Sequence, residues 1–361
     1  MSGATVHLVS VRVGFLGAGF IARYHAMQLR LVAEPSRIVA VHDPARSRAE
    51  EFVAEEGGSV LDDMDAVIDA CDAVFVCTWT AAHLDCVRRA AAAGRPVFCE
   101  KPLGMDLATS REIVQVVEQA GLINMAGLVL RSSPAIQAFR ELIQDPASGR
   151  AMNVIFRDDQ YIPTQGMYAS TWRGEVSLAG SGTLLEHSIH DLDILEWLLG
   201  DVVSVSAQRS YFHGLDGIED SISALFRFAG GATGTLSSVW HDILSRPSQR
   251  RVEVFCENAL VTLEGDLFGP VRYQTTDEEL VLDGDELIGW LRSRGVELVT
   301  AEQDFLVAVR RSLTGDAPGA ALSPDVREAL RAHSLVDAVY RSAEEDGASV
   351  PVDPRERPAV R

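Results

Sequence analysis

Val11-Arg-Val-Gly-Phe-Leu16 is a short apolar run of strand type that passes straight into Gly17-Ala-Gly-Phe-Ile-Ala22 and a helical pattern to about Ala33. A second strand, Ile38-Val-Ala-Val-His42, ends in Asp43. Strand, glycine turn, helix, strand and then an acid roughly twenty residues past the glycines is the order of a dinucleotide-binding unit. Gly17 permits the tight turn, Gly19 lets backbone approach a pyrophosphate, and the helix opening at Phe20 and Ile21 turns its amides toward phosphates. Ala22 stands where a third glycine is usual. Asp43 is placed to accept hydrogen bonds from ribose hydroxyls and repels a 2′-phosphate, which favours NAD. Arg46 and Arg48, close behind, keep NADP open.

Further strand-and-helix units follow: Ala73–Cys77 with a helix from about Ala81, Pro96–Cys99 with a helix from about Asp106, and a last strand near Ile123–Gly127. Apolar strands without alternation imply a parallel sheet covered on both faces, whose ligands sit beyond the strand carboxyl ends. Thr78, Trp79, Thr80 and the Glu100-Lys101-Pro102 turn therefore face the cofactor crevice. Thr80 has an N-cap role open to it, and His83 one on the surface of the first helical turn. From about residue 150 the pattern alternates, in Ser221–Phe228, Ala232–Trp240, Arg251–Cys256, Ala259–Glu264 and Glu279–Leu282, with Glu257-Asn258 as a hairpin turn. The expectation is an N-terminal Rossmann doubly wound parallel sheet over 1–128 and a largely antiparallel sheet domain over 129–361. Helices close the chain near 301–313 and 324–343, the last expected to pack back on the first domain, and the tail after Val352 is polar and expected to fray.

The length of 361 residues fits two domains of ordinary size. No apolar run approaches a membrane span, no leader pattern opens the chain, and we read it as cytoplasmic. Thirty-two basic against 52 acidic residues give a charge of −20, a field that repels nucleic acid and anionic membranes. Five cysteines without a CxxC pair fit reduced thiols. Of the 32 basic residues only Lys101 is a lysine. Arginine excess follows from base composition, but a lysine that persists marks a position needing a compact donor whose charge can be tuned.

In Gly180–Gly200, Leu185, Ile189, Leu192, Leu195 and Leu199 recur at helical spacing. Glu186 and His190 are four apart on one face, with Asp193 beyond, and a carboxylate beside an imidazole raises its basicity as a general base requires. Two other readings stand beside this one: His187, His190 and Asp191 as metal ligands, disfavoured because His187 and Asp191 point off the Glu186 face, and a helix that is merely polar toward solvent.

The glycine turn with Asp43, Thr78 with His83, Glu100-Lys101-Pro102, and the Glu186–His190 helix ending in Trp197-Leu-Leu-Gly200 together resemble the glucose-fructose oxidoreductase and inositol dehydrogenase (Gfo/Idh/MocA) family, over nearly the whole chain from Val11 to Val352. The resemblance implies that the second domain is an open-faced, largely antiparallel β-sheet and that the reaction is nicotinamide-dependent oxidation or reduction of a sugar, cyclitol or related polyol. It makes Lys101 catalytic and cofactor-contacting, with Glu186 and His190 beside it and no metal. Gly17, Gly19, Phe20, Ile21, Asp43, Thr78, Trp79, His83 and Glu100 would hold the cofactor. Trp172 and Arg173 lie in a loop from which this family contacts substrate; Asp193, Arg131 and His241 are further candidates, each of the last two equally open to a structural role. Glu186 replaces a more usual Asp, Trp79 a frequent proline, and Ser181 interrupts a glycine run, which should affect only its loop. Relatives that cleave sugar bonds with bound NAD, or that bind nicotinamide as regulators, leave two alternative functions. The open sheet face implies a homodimer or homotetramer.

Overall fold

The computed structural model describes residues 9–353. The expected frayed tail falls largely outside that span, as do the first eight residues, over which a leader pattern was sought. Along the chain the first elements are β1 (Val11–Leu16), α1 (Phe20–Leu31), β2 (Ser36–His42), α2 (Arg46–Glu56), β3 (Ser59–Val60), α3 (Met64–Ala70), β4 (Ala73–Val76), α4 (His83–Ala92), β5 (Val97–Cys99), α5 (Leu107–Ala120) and β6 (Asn124–Ala126). There follow α6 (Pro134–Gln144), β7 (Ala151–Tyr161), α7 (Val176–Ala179), α8 (Thr183–Glu186), α9 (Ile189–Leu199), β8 (Val202–Ser210), β9 (Ser221–Phe228), β10 (Thr233–His241), β11 (Gln249–Cys256), β12 (Leu260–Glu264), β13 (Val271–Gln274) and β14 (Glu279–Leu282). Helices α10 (Gly284–Ser293), α11 (Ala301–Thr314) and α12 (Val326–Glu344) and strand β15 (Val350–Pro351) complete the order.

These elements form two compact units, neither a single stretch of chain: residues 9–103, 111–127 and 299–326 in one, and 104–110, 128–298 and 327–353 in the other. The first unit is a six-stranded parallel sheet in the order β3-β2-β1-β4-β5-β6, the doubly wound arrangement expected. Its central strands β4 and β5 are wholly apolar and buried because helices cover both faces: Phe15 stacks on Phe75 at 5.1 Å, Phe75 on Phe98 at 4.7 Å, and Phe305 of α11 meets Phe75 and Phe98 edge-on. Gly17 has φ +96° and lies so near β4 that a Cβ would meet the Cys77 carbonyl oxygen at 2.3 Å, so both conformation and space require glycine.

The second unit is a nine-stranded sheet, β14-β13-β12-β11-β7-β10-β9-β8-β15. It is mixed: β7 and β10 run parallel in its middle and every other pairing is antiparallel. Alternation buries Ile222, Ala224, Phe226 and Phe228 on one face, while Ile155, Leu225, Phe255 and Val281 are exposed. Strand β7 escaped the sequence reading because its last four residues, Asp158-Asp159-Gln160-Tyr161, are all buried, which breaks the alternation, and two of them are acids. Helix α6 carried a legible signal that was missed, Ser133 capping Ile136 N–H with Pro134 in the first turn. No helix among the described residues is long and apolar enough to cross a membrane.

Candidate functional site

In the first unit the glycine turn delivers Gly19 to the N-cap of α1, with Phe20 half exposed next to it. Nothing lies within 4 Å of a Cβ built on Gly19, so a ligand can reach the backbone there. Asp43 Oδ2 accepts the Ala18 N–H at 2.9 Å and Oδ1 the Ala45 N–H at 2.8 Å, which seats the carboxylate directly on the turn. Its remaining lone pairs suit ribose hydroxyls. Arg46 is drawn into ion pairs with Glu50 and Asp62, at 3.0 and 2.8 Å, away from the 2′-phosphate role considered for it.

At the ends of β4 and β5, two sequence expectations need correcting. Thr80 is not an N-cap: it is buried and begins a short 3-10 turn, Thr80–Ala82, preceded by Trp79. His83 is not first-turn surface but is 1% exposed, its Nδ1 2.9 Å from the Pro102 carbonyl and its Nε2 3.3 Å from the Thr78 carbonyl. The ring thus ties the two strand-end turns together. The Thr78 hydroxyl donates to the Trp79 carbonyl at 3.2 Å. Glu100, at the end of β5, is buried, and its Oε2 accepts the Lys101 N–H at 3.1 Å. The Glu100 Oε1 faces His25 Nε2 at 2.7 Å, and His25 Nδ1 faces Glu302 Oε1 at 2.7 Å. Burial works against the His25 charge, but the two carboxylates outweigh it and raise its pKa to about 9. His25 was missed in the sequence, where the signal was a histidine on the apolar inward face of α1 with Ala22, Ala26 and Leu29.

In the second unit the expected continuous helix is broken. α8 ends at Glu186, His187 leaves helical geometry with φ −123° and ψ −63°, and α9 starts at Ile189. The break lies between Glu186 and His190, so helical spacing does not relate them. The Arg173 Nε donates to Glu186 Oε2 at 3.1 Å, and the Arg173 guanidinium lies 4.9 Å over the Trp172 ring. Trp172 packs in turn on a small apolar cluster of Ile162, Ala179, Ile218 and Trp240. The structure thereby brings together three predicted site residues, Trp172, Arg173 and Glu186. The alternative of a helix polar toward solvent is overturned, since Glu186, Asp191 and Asp193 are all buried.

Arg131 and Asp193 form a two-point pair, Nε to Oδ2 at 2.8 Å and Nη2 to Oδ1 at 2.5 Å, and Arg131 also reaches Glu328 at 2.6 Å. His241, at the end of β10, accepts the Ile243 N–H at Nδ1 and lies 3.4 Å from Asp159 through Nε2. His187 and Asp191, weighed as metal ligands, belong to a buried ionic cluster. His187 pairs with Asp158 at 2.8 Å, and Arg250 reaches Asp191 at 2.6 Å, Asp158 at 3.0 Å and Asp266 at 2.5 Å. Burial pushes Asp191 up to about 8 against the pull of Arg250, with Asp158 adding to the rise.

Turn α8 is held by a residue with no local sequence signal, the fully buried Glu219. Its Oε2 accepts the Gly182 N–H and the Ser181 hydroxyl, both at 2.7 Å, and its Oε1 accepts the Leu184 N–H and the Tyr340 hydroxyl, both at 2.9 Å. A carboxylate thus caps the amides that open the turn carrying Glu186. Ser181 does more than alter its loop.

Set beside known proteins, residues 11–128 match the model of an oxidoreductase family with an NAD-binding Rossmann fold, and residues 136–262 match the GFO/IDH/MocA C-terminal domain. An inositol 2-dehydrogenase of Cereibacter sphaeroides is 30% identical over 98% of this chain and 99% of its own. The solved structure of a putative myo-inositol dehydrogenase from Sinorhizobium meliloti is 27% identical, with a TM-score of 0.74 over 95% of this chain and 100% of that one. Levoglucosan dehydrogenase in complex with NADH and levoglucosan is 20% identical and shares the fold, with a TM-score of 0.80 over 96% and 100% of the two chains.

Proposed function

Because the chain belongs to the Gfo/Idh/MocA family of NAD-binding oxidoreductases, we propose that it transfers hydride between a secondary hydroxyl of a cyclitol, sugar or related polyol and NAD, with Lys101, His190 and Glu186 as its catalytic residues. The observation that carries the residue assignment is the placement of Lys101: the one lysine of the chain stands at the carboxyl end of β5, its backbone held by the buried Glu100. That is where a doubly wound sheet presents groups to its ligand.

NAD, when bound, supplies the hydride acceptor. Gly17, Gly19 and the first turn of α1 would hold its pyrophosphate and Asp43 its ribose, and the engagement of Arg46 with Glu50 and Asp62 supports NAD over NADP. Phe20, Ile21, Thr78, Trp79, His83 and Glu100 line or brace that side. During oxidation His190 takes the hydroxyl proton as the carbon loses its hydride, and the Lys101 ammonium donates to the substrate oxygen as negative charge builds on it. Glu186 enters as a carboxylate already paired with Arg173, which tempers its pull on an imidazolium. In reduction the proton returns from His190 to the new hydroxyl. Trp172 and Arg173 are the substrate-side candidates best supported by their grouping with Glu186, whereas the two-point pair of Arg131 with Asp193 favours a bracing role for both. The exposed Ile155, Leu225, Phe255 and Val281 on the uncovered sheet face support self-association through that face.

The test is reduction of NAD or NADP, followed by absorbance, over a panel of cyclitols, aldoses, anhydrosugars and amino sugars. We expect turnover with NAD and one polyol class, falling about a hundredfold or more in Lys101→Ala and in His190→Ala. Near-full turnover in folded variants would overturn the assignment, and NAD binding with silence across the panel would overturn the reaction.

A further inference from the structure

His25 takes no part in the scheme above, yet it is one of the most constrained groups in the molecule. The ring is completely buried, with Phe98 edge-on at 4.9 Å, and each ring nitrogen lies 2.7 Å from a carboxylate oxygen that is itself buried, one from Glu100 and one from Glu302. A neutral imidazole has one donor and one acceptor, and an ionised carboxylate only accepts. Two such contacts are therefore satisfied at once when the ring is an imidazolium between two carboxylates. Glu100 agrees: burial would raise its pKa, but the hydrogen bond and charge of His25, with Lys101 assisting, hold it below the usual carboxylate range. The seat is built for that side chain, because a Cβ on Gly127 would lie 2.4 Å from Glu100 Oε1. The other oxygen of Glu100 accepts the Lys101 N–H.

We propose that His25 is a positioning residue for Lys101: as an imidazolium anchored by Glu302, it fixes the Glu100 carboxylate against the Lys101 backbone and sets the charge balance the lysine feels. Its effect on turnover rests on the reading of Lys101 as the catalytic lysine; its effect on Lys101 itself does not. A buried ionic chain of this kind contributes little net stability compared with apolar packing, and losing one member leaves an uncompensated charge. The titratable groups that contact the ring are Glu100 at the end of β5, Glu302 on α11 and, edge-on at 5.6 Å, Tyr24 of its own helix; Cys99 and Lys101 flank Glu100 in the chain, and Cys77 follows β4. Burial, with the two glutamates adding, raises Tyr24; burial also carries the Cys77 and Cys99 thiols well above their ordinary range. His25 therefore loses its proton before these three.

The single lysine makes the test direct. Protein labelled with 13C at the lysine ε-carbon gives one side-chain signal, from Lys101, and 15N-histidine labelling reports His25, identified by the signal lost in His25→Gln. We expect both His25 nitrogens to be protonated at pH 7.5, the proton to leave near pH 9, and the Lys101 signal to step at that same pH. In Glu302→Gln, which keeps the side-chain shape and removes one charge, both steps should move down together, by about tenfold or more in proton affinity. A neutral His25 at pH 7.5 in the unaltered protein overturns the proposal. So does a Lys101 signal that ignores the His25 step, a result the unaltered protein delivers even where Glu302→Gln does not fold. Neither readout uses a substrate, so silence in the polyol assay would bear on the reaction and leave this test standing.

Discussion

Glu219→Gln isolates what one carboxylate does for the turn that carries Glu186. Both oxygens of Glu219 receive a backbone N–H, Gly182 on one and Leu184 on the other, and each also receives a hydroxyl. The Ser181 and Tyr340 hydroxyls can rotate to accept from an amide NH2. A backbone N–H cannot, so whichever way the Gln side chain is turned, one buried amide meets a donor. An orphaned buried N–H costs about 1–3 kcal/mol, and the bonds that remain weaken from charged to neutral acceptors, so the sum is about 3 kcal/mol. Tyr340→Phe is the control: it removes one hydroxyl while Oε1 keeps the Leu184 N–H, at a cost of about 1 kcal/mol. Hydrogen exchange at the Gly182 and Leu184 amides, with guanidinium unfolding alongside, measures both. Glu219→Gln should speed exchange of at least one of these amides about a hundredfold, and Tyr340→Phe several-fold. If the two variants lie within about 1 kcal/mol of each other, the capping argument is wrong.

Asp191 gives a stability prediction with a definite sign. Its folded pKa, about 8, lies above the ordinary 3.8, so the folded chain holds a proton that the unfolded chain releases. The contribution is full below the ordinary value and is lost as pH rises toward the folded one. Asp191→Asn, neutral throughout, should therefore flatten the fall in urea midpoint between pH 5.5 and 8.5; parallel profiles for the two proteins would sink the assignment. At the cofactor side, Asp43→Ser should raise the KM for NAD roughly tenfold and narrow the preference over NADP, because a shorter neutral hydroxyl replaces the charged ribose acceptor and the charge that repels a 2′-phosphate is gone. An unchanged preference would place the ribose elsewhere.

Both units were legible where their determinants are local. The glycine turn, Asp43 and the Glu100-Lys101-Pro102 turn are each a few adjacent residues whose chemistry follows from backbone geometry, and strands Ser221–Phe228 and Glu279–Leu282 stand with the bounds their alternation implied. What escaped depends on partners distant along the chain. His25 and Glu302 are 277 residues apart, and nothing near either announces the other. The break after Glu186 is hidden because the apolar stripe continues through it from Leu185 to Ile189. It is enforced from outside, by Ser188 on Ser238 at 2.6 Å and His187 on Asp158 at 2.8 Å, contacts that periodicity cannot register. Arg131 and Asp193, candidates for substrate contact with Arg131 equally open to a structural role, pair with each other across 62 residues.

The placement of Glu302 and Phe305 bears on how such a chain can be made and dismantled. The face of the parallel sheet formed by Phe75 and Phe98, with His25 beneath it, is closed by a helix that leaves the ribosome only after nearly the whole second sheet has been synthesised. Until then the nascent cofactor-side unit carries an apolar patch and two buried-type ionic groups in water. A fragment cut after residue 128 would keep that exposure permanently, so this unit is not a transplantable module in its sequence order. Moving it to another protein would require a permuted chain in which residues 299–326 are rejoined to the strands they cover.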